Sequence, residues 1–206
     1  MIEIKNVSKS YINGKKSVDS LTLDIKNGEI FGFLGPNGAG KTTTIRMITG
    51  ILNMDEGDIL IDGKSIKQEP LEAKKNFGFV PDSPDMFLKL KGIEYLTFMA
   101  DVYDIPKDKR KEKIEELTKK FEIYNELNNE IQSYSHGMRQ KIVICGALLS
   151  EPKNWILDEP MTGLDPKSSF DLKEMMREHA KAGKTVFFST HVLEVAEKLC
   201  DRVGII

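Results

Sequence analysis

The chain has 206 residues, 40% hydrophobic and 30% charged, the make-up of an ordinary folded domain rather than a disordered or fibrous one. Its 30 Lys and Arg against 32 Asp and Glu leave a net charge of −2, which excludes the strongly basic field expected of a nucleic-acid binder. The longest apolar run, Ile142 to Leu149, falls far short of the roughly 20 residues a membrane span needs, and the opening MIEIKNVSKSY holds no apolar signal core. Only two cysteines are present, which suits a reducing compartment, and Cys145 lies in an apolar run that reads as a buried free thiol.

In chain order, Val18 to Ile25 alternates in part (Val18, Leu21, Leu23, Ile25) and predicts a strand. Ile30-Phe31-Gly32-Phe33-Leu34 predicts a short buried strand, and Lys41 to Thr49 a helix. Between them, Gly35 to Thr43 reads GPNGAGKTT and matches G-x-x-x-x-G-K-[ST], the phosphate-binding loop. Backbone N–H groups in such a turn form a concave anion site, and glycines let the loop take the required φ/ψ. The helix beginning near Lys41 adds the positive end of its dipole. Lys41 is expected to reach the β- and γ-phosphates, and the Thr42 hydroxyl to take a place on Mg²⁺.

Asp58-Ile59-Leu60-Ile61 predicts a strand closed by a turn at Asp62-Gly63, and Phe77 to Val80 a strand ended by Pro81. The middle of the chain is helical. Ile93, Leu96 and Ala100 recur at helical spacing, as do Ile114, Leu117 and Phe121. Glu115 with Lys119, and Glu116 with Lys120, are i,i+4 pairs on an outer, solvated face. Met138 to Leu149 is helical again. The last third alternates: strand Trp155–Leu157, helix Lys167–Ala182, strand Thr185–Ser189, helix His191–Leu199 and strand Arg202–Ile206. That order means an α/β fold with a parallel sheet and covering helices, into which about residues 83–150 insert as a helical unit.

Ligand sites in such sheets lie at strand C-termini. Asp158 and Glu159 stand at the end of Trp155-Ile156-Leu157, where Asp158 suits Mg²⁺ and Glu159 an attacking water. His191 follows the next strand and is the histidine placed to reach a γ-phosphate; His179, in register with Leu172, Met175 and Met176, reads as core. Asp165-Pro166 opens a helix, and plain N-capping accounts for Asp165 as well as a site role does.

Taken in order, these pieces resemble the ATP-binding cassette of ABC transporters over nearly all of the chain. Gly35, Pro36, Asn37, Gly38, Ala39, Gly40, Lys41, Thr42 and Thr43 resemble the Walker A loop, and Trp155 to Glu159 resembles Walker B with its catalytic glutamate. Ser135, His136, Gly137 and Met138, followed by Arg139-Gln140, resemble the signature motif; Thr162 to Asp165 resembles the D-loop, and Ser189-Thr190-His191 the switch histidine. Tyr11 matches the aromatic residue that stacks on adenine.

The resemblance implies a P-loop NTPase with a central, mostly parallel sheet, an N-terminal antiparallel β part and an inserted helical subdomain. Residues 1–82 and 151–206 would form the core of a single domain. It implies an ATPase using ATP and Mg²⁺, with Glu159 and His191 catalytic and Thr42, Asp158 and Asp82 around the metal. Two cassettes, as a homodimer or a paralogue heterodimer, would enclose ATP between Walker A of one and Ser135–Met138 of the other. They would drive a separate membrane-spanning permease from the cytoplasmic face of the cell membrane.

The chain departs from the family pattern at Asp82, where glutamine is usual, and at Tyr134, His136 and Met138 in the signature, a variant that resembles a branch of the family whose partners are often exporters of the ABC-2 type. Met161 stands where threonine is common. Family members usually continue past Arg202–Ile206, so the chain reads as truncated or unusually short. Met86-Phe87-Leu88 falls where the family borders the groove for the membrane partner, although core packing is the favoured reading of these residues. Rival readings are a soluble ABC ATPase, as in iron–sulfur assembly, and a nucleotide-binding regulator without hydrolysis.

Overall fold

The computed structural model describes residues 1–11, 14 and 16–206. Two sheets organise them. The first is four-stranded and antiparallel, built from β1 (Ile2–Ser10), β2 (Lys16–Ile25), β4 (Glu56–Ile61) and β5 (Lys64–Ser65) in the order β2-β1-β4-β5. The second is five-stranded, from β3 (Ile30–Leu34), β6 (Phe77–Val80), β7 (Asn154–Leu157), β8 (Thr185–Thr190) and β9 (Arg202–Ile205) in the order β6-β7-β8-β3-β9. All of its pairings are parallel.

The parallel strands read as nearly continuous apolar runs because both faces are covered. Trp155, Leu157, Val186, Phe188, Ile30 and Val80 point to one face and join the helical core. Their neighbours Ile156, Phe187, Phe31, Phe33 and Phe77 point to the other and join the antiparallel sheet. There Phe187 stacks near Phe31 and Phe33, with centroids 5.9 and 5.7 Å away. The same core takes Ile45, Met47 and Ile48 from α1 (Lys41–Ile48), the helix that follows the phosphate loop.

Between β6 and β7 come α3 (Gly92–Val102), α4 (Lys107–Lys120) and α5 (His136–Leu148), preceded in the chain by the single-turn α2 (Pro70–Lys74). Residues 140–148 of α5 are all buried, so this helix is the axis of the inserted unit, apolar almost all round. The α6 (Pro166–Lys181) and α7 (Leu193–Leu199) helices connect the last strands. Among the described residues no helix is long and apolar enough to cross a membrane.

The structure departs from the sequence reading at five points. The strand β1 is not evident in the sequence, because its alternation slips. Ile2 and Ile4 face the core, Asn6 takes φ 52°, and Val7 then faces inward out of step. Register shifts on both sides of β1 record the bulge. Helix α5 begins two residues earlier than predicted, with Ser135 as its cap, and α7 begins two residues later, leaving His191 outside it. Lys119 pairs with Glu115 at 2.6 Å as expected, but Lys120 reaches Glu178 on α6 at 3.3 Å instead of Glu116. Core packing does not account for Met86 and Phe87, which are exposed; Phe87 lies against Tyr95 and Phe98 while Leu88 packs on the core.

Candidate functional site

Strand order brings the site together. The C-terminal ends of β3, β8 and β7 lie side by side, so the loops after them converge. The loop after β3 delivers Lys41, the end of β7 delivers Asp158 and Glu159, and the end of β8 delivers Ser189 to His191. The Gly35 N–H donates to the Thr190 carbonyl at 3.3 Å, tying the start of the phosphate loop to the end of β8.

A cavity of about 470 Å³ opens over this junction, lined by Ser17, Asn37, Gly38, Gly40, Lys41, Thr42, Thr43, Asp82 and Glu159. Gly40 has φ +108°, and a Cβ there would meet the Ser17 carbonyl oxygen at 2.5 Å, so the loop requires glycine at this point. Lys41 is 5% exposed, and its Nζ donates to the Gly35 carbonyl at 2.7 Å and the Pro36 carbonyl at 3.1 Å. It stands 3.4 Å from Glu159 Oε1, close enough for charge attraction but not aligned as a hydrogen bond. That oxygen is buried without a hydrogen-bond donor. The other carboxylate oxygen of Glu159 meets His191 Nδ1 at 3.0 Å. A buried cation and an orphaned carboxylate oxygen therefore line one polar cavity, and His191 reaches the same carboxylate from an adjoining cavity.

Asp158 is buried, and burial raises its carboxyl above the ordinary aspartate range. The Ser189 and Thr42 hydroxyls pull it back, while the charges of Asp82 and Glu159 raise it further. Asp82 is partly exposed at the cavity wall, 4.0 Å from Arg46 Nη2 on α1. No group of three or more Asp, Glu, His or Cys among the described residues forms a metal site by itself. A lone buried carboxylate beside a hydroxyl fits Mg²⁺, which keeps several waters and takes its other oxygens from phosphates.

The structure separates other predicted residues from this cavity. Tyr11 is exposed at its rim, with its hydroxyl 3.4 Å from Thr43 Oγ1. Ser135, His136, Gly137, Met138 and Asp165 do not line it; the turn at His136 and Gly137 lies instead against Gly163, and Asp165 against α5 and α6. A Cβ on Gly137 would strike the Gly163 carbonyl at 2.7 Å, and one on Gly163 the His136 ring. Lys141 pairs with Asp165 at 3.0 Å. Asp165 caps α6, accepting from Ser168 N–H at 2.9 Å and Ser168 Oγ at 2.6 Å. The Ser168 hydroxyl and N–H, then Lys141, hold its carboxyl well below the usual range. Ser135 Oγ accepts the Met138 N–H at 3.3 Å, which leaves its own proton free to donate. His179 lies against Trp155, ring centroids 5.6 Å apart, and burial lowers its pKa to about 4.

Sequence reasoning missed Ser189 as a separate contributor. Its hydroxyl donates to Asp158 Oδ1 at 2.5 Å and accepts the Glu159 N–H at 2.9 Å. Nothing local marks it, since its two partners lie about thirty residues earlier in the chain.

Residues 18–162 match the family model described as "ABC transporter". Over its full length the chain is 39% identical to the uncharacterized ABC transporter ATP-binding protein YhcH and 37% identical to the linearmycin resistance ATP-binding protein LnrL, both of Bacillus subtilis (strain 168). It spans 67% and 66% of those two relatives. It is 36% identical to the SkfA peptide export ATP-binding protein SkfE of the same organism, spanning 85% of it. Among solved structures, an ATP-binding subunit of an ABC transporter superposes with a TM-score of 0.94 at 32% identity, covering 100% of this chain and 85% of that one. A dimeric ATP-binding cassette in a post-hydrolysis state, bound to ADP and Pi, superposes with 0.90 at 26% identity, covering 100% and 94%.

Proposed function

The chain belongs to the ABC transporter family of ATP-binding proteins, and from that premise we propose that it hydrolyses ATP to power a separate membrane-spanning permease, in the direction of export. The observation that carries the hydrolytic reading is the meeting of Lys41 and His191 on the one carboxylate of Glu159, at the cavity wall, with Asp158 buried next to it. Export is supported by relatives named for peptide export and for linearmycin resistance.

In this reading the phosphate loop and Lys41 bind the triphosphate. Lys41 gives up the Gly35 and Pro36 carbonyls and donates to phosphate oxygens, gaining charge-assisted bonds for neutral ones. Its departure from Glu159 frees that carboxylate to accept a proton from an attacking water. His191 holds the other carboxylate oxygen and so fixes the direction in which Glu159 faces. Thr42 and Asp158, with Asp82 nearby, would hold Mg²⁺, which neutralises charge developing on the phosphates. Tyr11 offers a π-face at the rim for adenine.

Ser135–Met138 and Asp165 stand apart from the cavity of their own chain, which supports a composite site completed by a second copy. The free Ser135 proton and the N-terminus of α5 suit an anion presented from across such an interface. The test is the mass of the Glu159→Gln variant by light scattering, with and without Mg²⁺-ATP. A shift from monomer to dimer on adding ATP is expected. A monomer that binds ATP without dimerising would overturn the composite site.

A further inference from the structure

We propose that Ser189 is a positioning residue for hydrolysis: one hydroxyl fixes the Asp158 carboxylate and the Glu159 peptide together. The inference rests on the hydrolytic reading above and adds a residue to it.

Ser189 is fully buried at the end of β8, on a strand held on one side by β7 and on the other by β3. A serine hydroxyl has one proton to give. Here it goes to Asp158 Oδ1 at 2.5 Å, a charge-assisted bond. With that proton committed, the oxygen lone pairs are aimed, and one of them takes the Glu159 N–H at 2.9 Å. Glu159 needs such a restraint. Its φ is +46°, a left-handed conformation that is unfavourable for a residue with a side chain. Turning the peptide back to an ordinary φ would swing the carboxylate away from Lys41 and His191. The Ser189 hydroxyl therefore couples the direction of the buried aspartate to the one backbone conformation that faces Glu159 into the cavity. An apolar side chain of the same shape would fill the space and provide neither bond.

Threonine and valine at this position separate the bonds from the packing. Both are β-branched and suit a strand, both add bulk to a buried site, and only threonine keeps a hydroxyl. For the whole chain and for its Ser189→Ala, Ser189→Thr and Ser189→Val variants, we would measure kcat and KM for ATP, calorimetric ATP affinity without Mg²⁺, and the urea midpoint. Ser189→Ala and Ser189→Val should lose about 10- to 100-fold in kcat, the value of a hydrogen bond to a charged group. ATP affinity should stay within about threefold, because the phosphate loop is untouched. Ser189→Thr should recover most of kcat and unfold at a higher urea midpoint than Ser189→Val, which leaves the Asp158 carboxylate and the Glu159 N–H without their partner. Equal kcat in the Thr and Val variants, or loss of ATP affinity in step with kcat, would overturn the positioning role. An unsubstituted chain that binds Mg²⁺-ATP without turnover would instead overturn the hydrolytic reading, and this inference with it.

Discussion

Gly40→Ala tests how tightly the phosphate loop is built. At φ +108° an alanine lies outside the left-handed well, a strain of about 1–3 kcal/mol. Its Cβ would also sit 2.5 Å from the Ser17 carbonyl oxygen, so the backbone of β2 must move, at about 1–3 kcal/mol for overpacking. The two together come to about 4 kcal/mol, or roughly 8–16 °C in Tm for a domain of this size. Gly38→Ala is the control. Gly38 has φ +82°, but a Cβ there meets nothing within 4 Å. Strain alone, about 1–2 kcal/mol, predicts a loss of roughly 2–8 °C. Thermal unfolding followed by circular dichroism reads the difference, and calorimetric titration with Mg²⁺-ATP should show that Gly40→Ala also loses binding. Equal Tm losses in the two variants would refute the claim that contact with Ser17 fixes the loop.

Lys41→Ala should weaken ATP binding by about 10²- to 10³-fold, since charge-assisted bonds to phosphate exceed the two carbonyl bonds given up. A calorimetric Kd within threefold of the unsubstituted chain would contradict that role. Acid should destabilise the fold through His179. Its folded pKa, about 4, lies below the ordinary 6.5, so the unfolded chain takes up a proton that the folded chain resists. The contribution is fully present above pH 6.5 and is lost as pH falls toward 4. Discounted for partial solvent screening, the loss is about 1 kcal/mol by pH 5. Urea midpoints at pH 7 and pH 5 should therefore separate less in His179→Phe than in the unsubstituted chain; equal separations would mean that burial of the neutral ring is not the cause.

Segments whose identity is local were legible from residue order alone. The phosphate loop between β3 and α1 has its own motif, and β7, α6, β8 and α7 each show one clear period. What escaped notice depends on partners distant in the chain. Two-residue β5 and five-residue α2 are too short to show a period. Strand β1 hides because the bulge near Asn6 breaks its alternation, while pairing to both β2 and β4 holds it in the sheet. Lys120 has a sequence neighbour at the right spacing and still takes Glu178, since α6 packs within its reach. Asp165 shows a limit of another kind. Its capping geometry is plain, but capping and a role across an interface use the same carboxylate, and the sequence cannot divide them.

The position of β3 bears on how the protein is made. Among the described residues its only sheet neighbours are β8 and β9, which lie within residues 185–205, whereas β3 itself is complete by residue 34. A ribosome therefore releases the phosphate loop some 150 residues before the strands that will flank it. During that interval the antiparallel sheet can pair from its own segments, and α3, α4 and α5 can pack on one another. The nucleotide cradle cannot close, because the Thr190 carbonyl that holds Gly35 has yet to emerge. ATP thus meets a complete cradle only after β8 has been made and packed beside β3. Closure by a strand made so long after the loop makes the nucleotide a ligand that inspects the assembled sheet rather than a template that guides it.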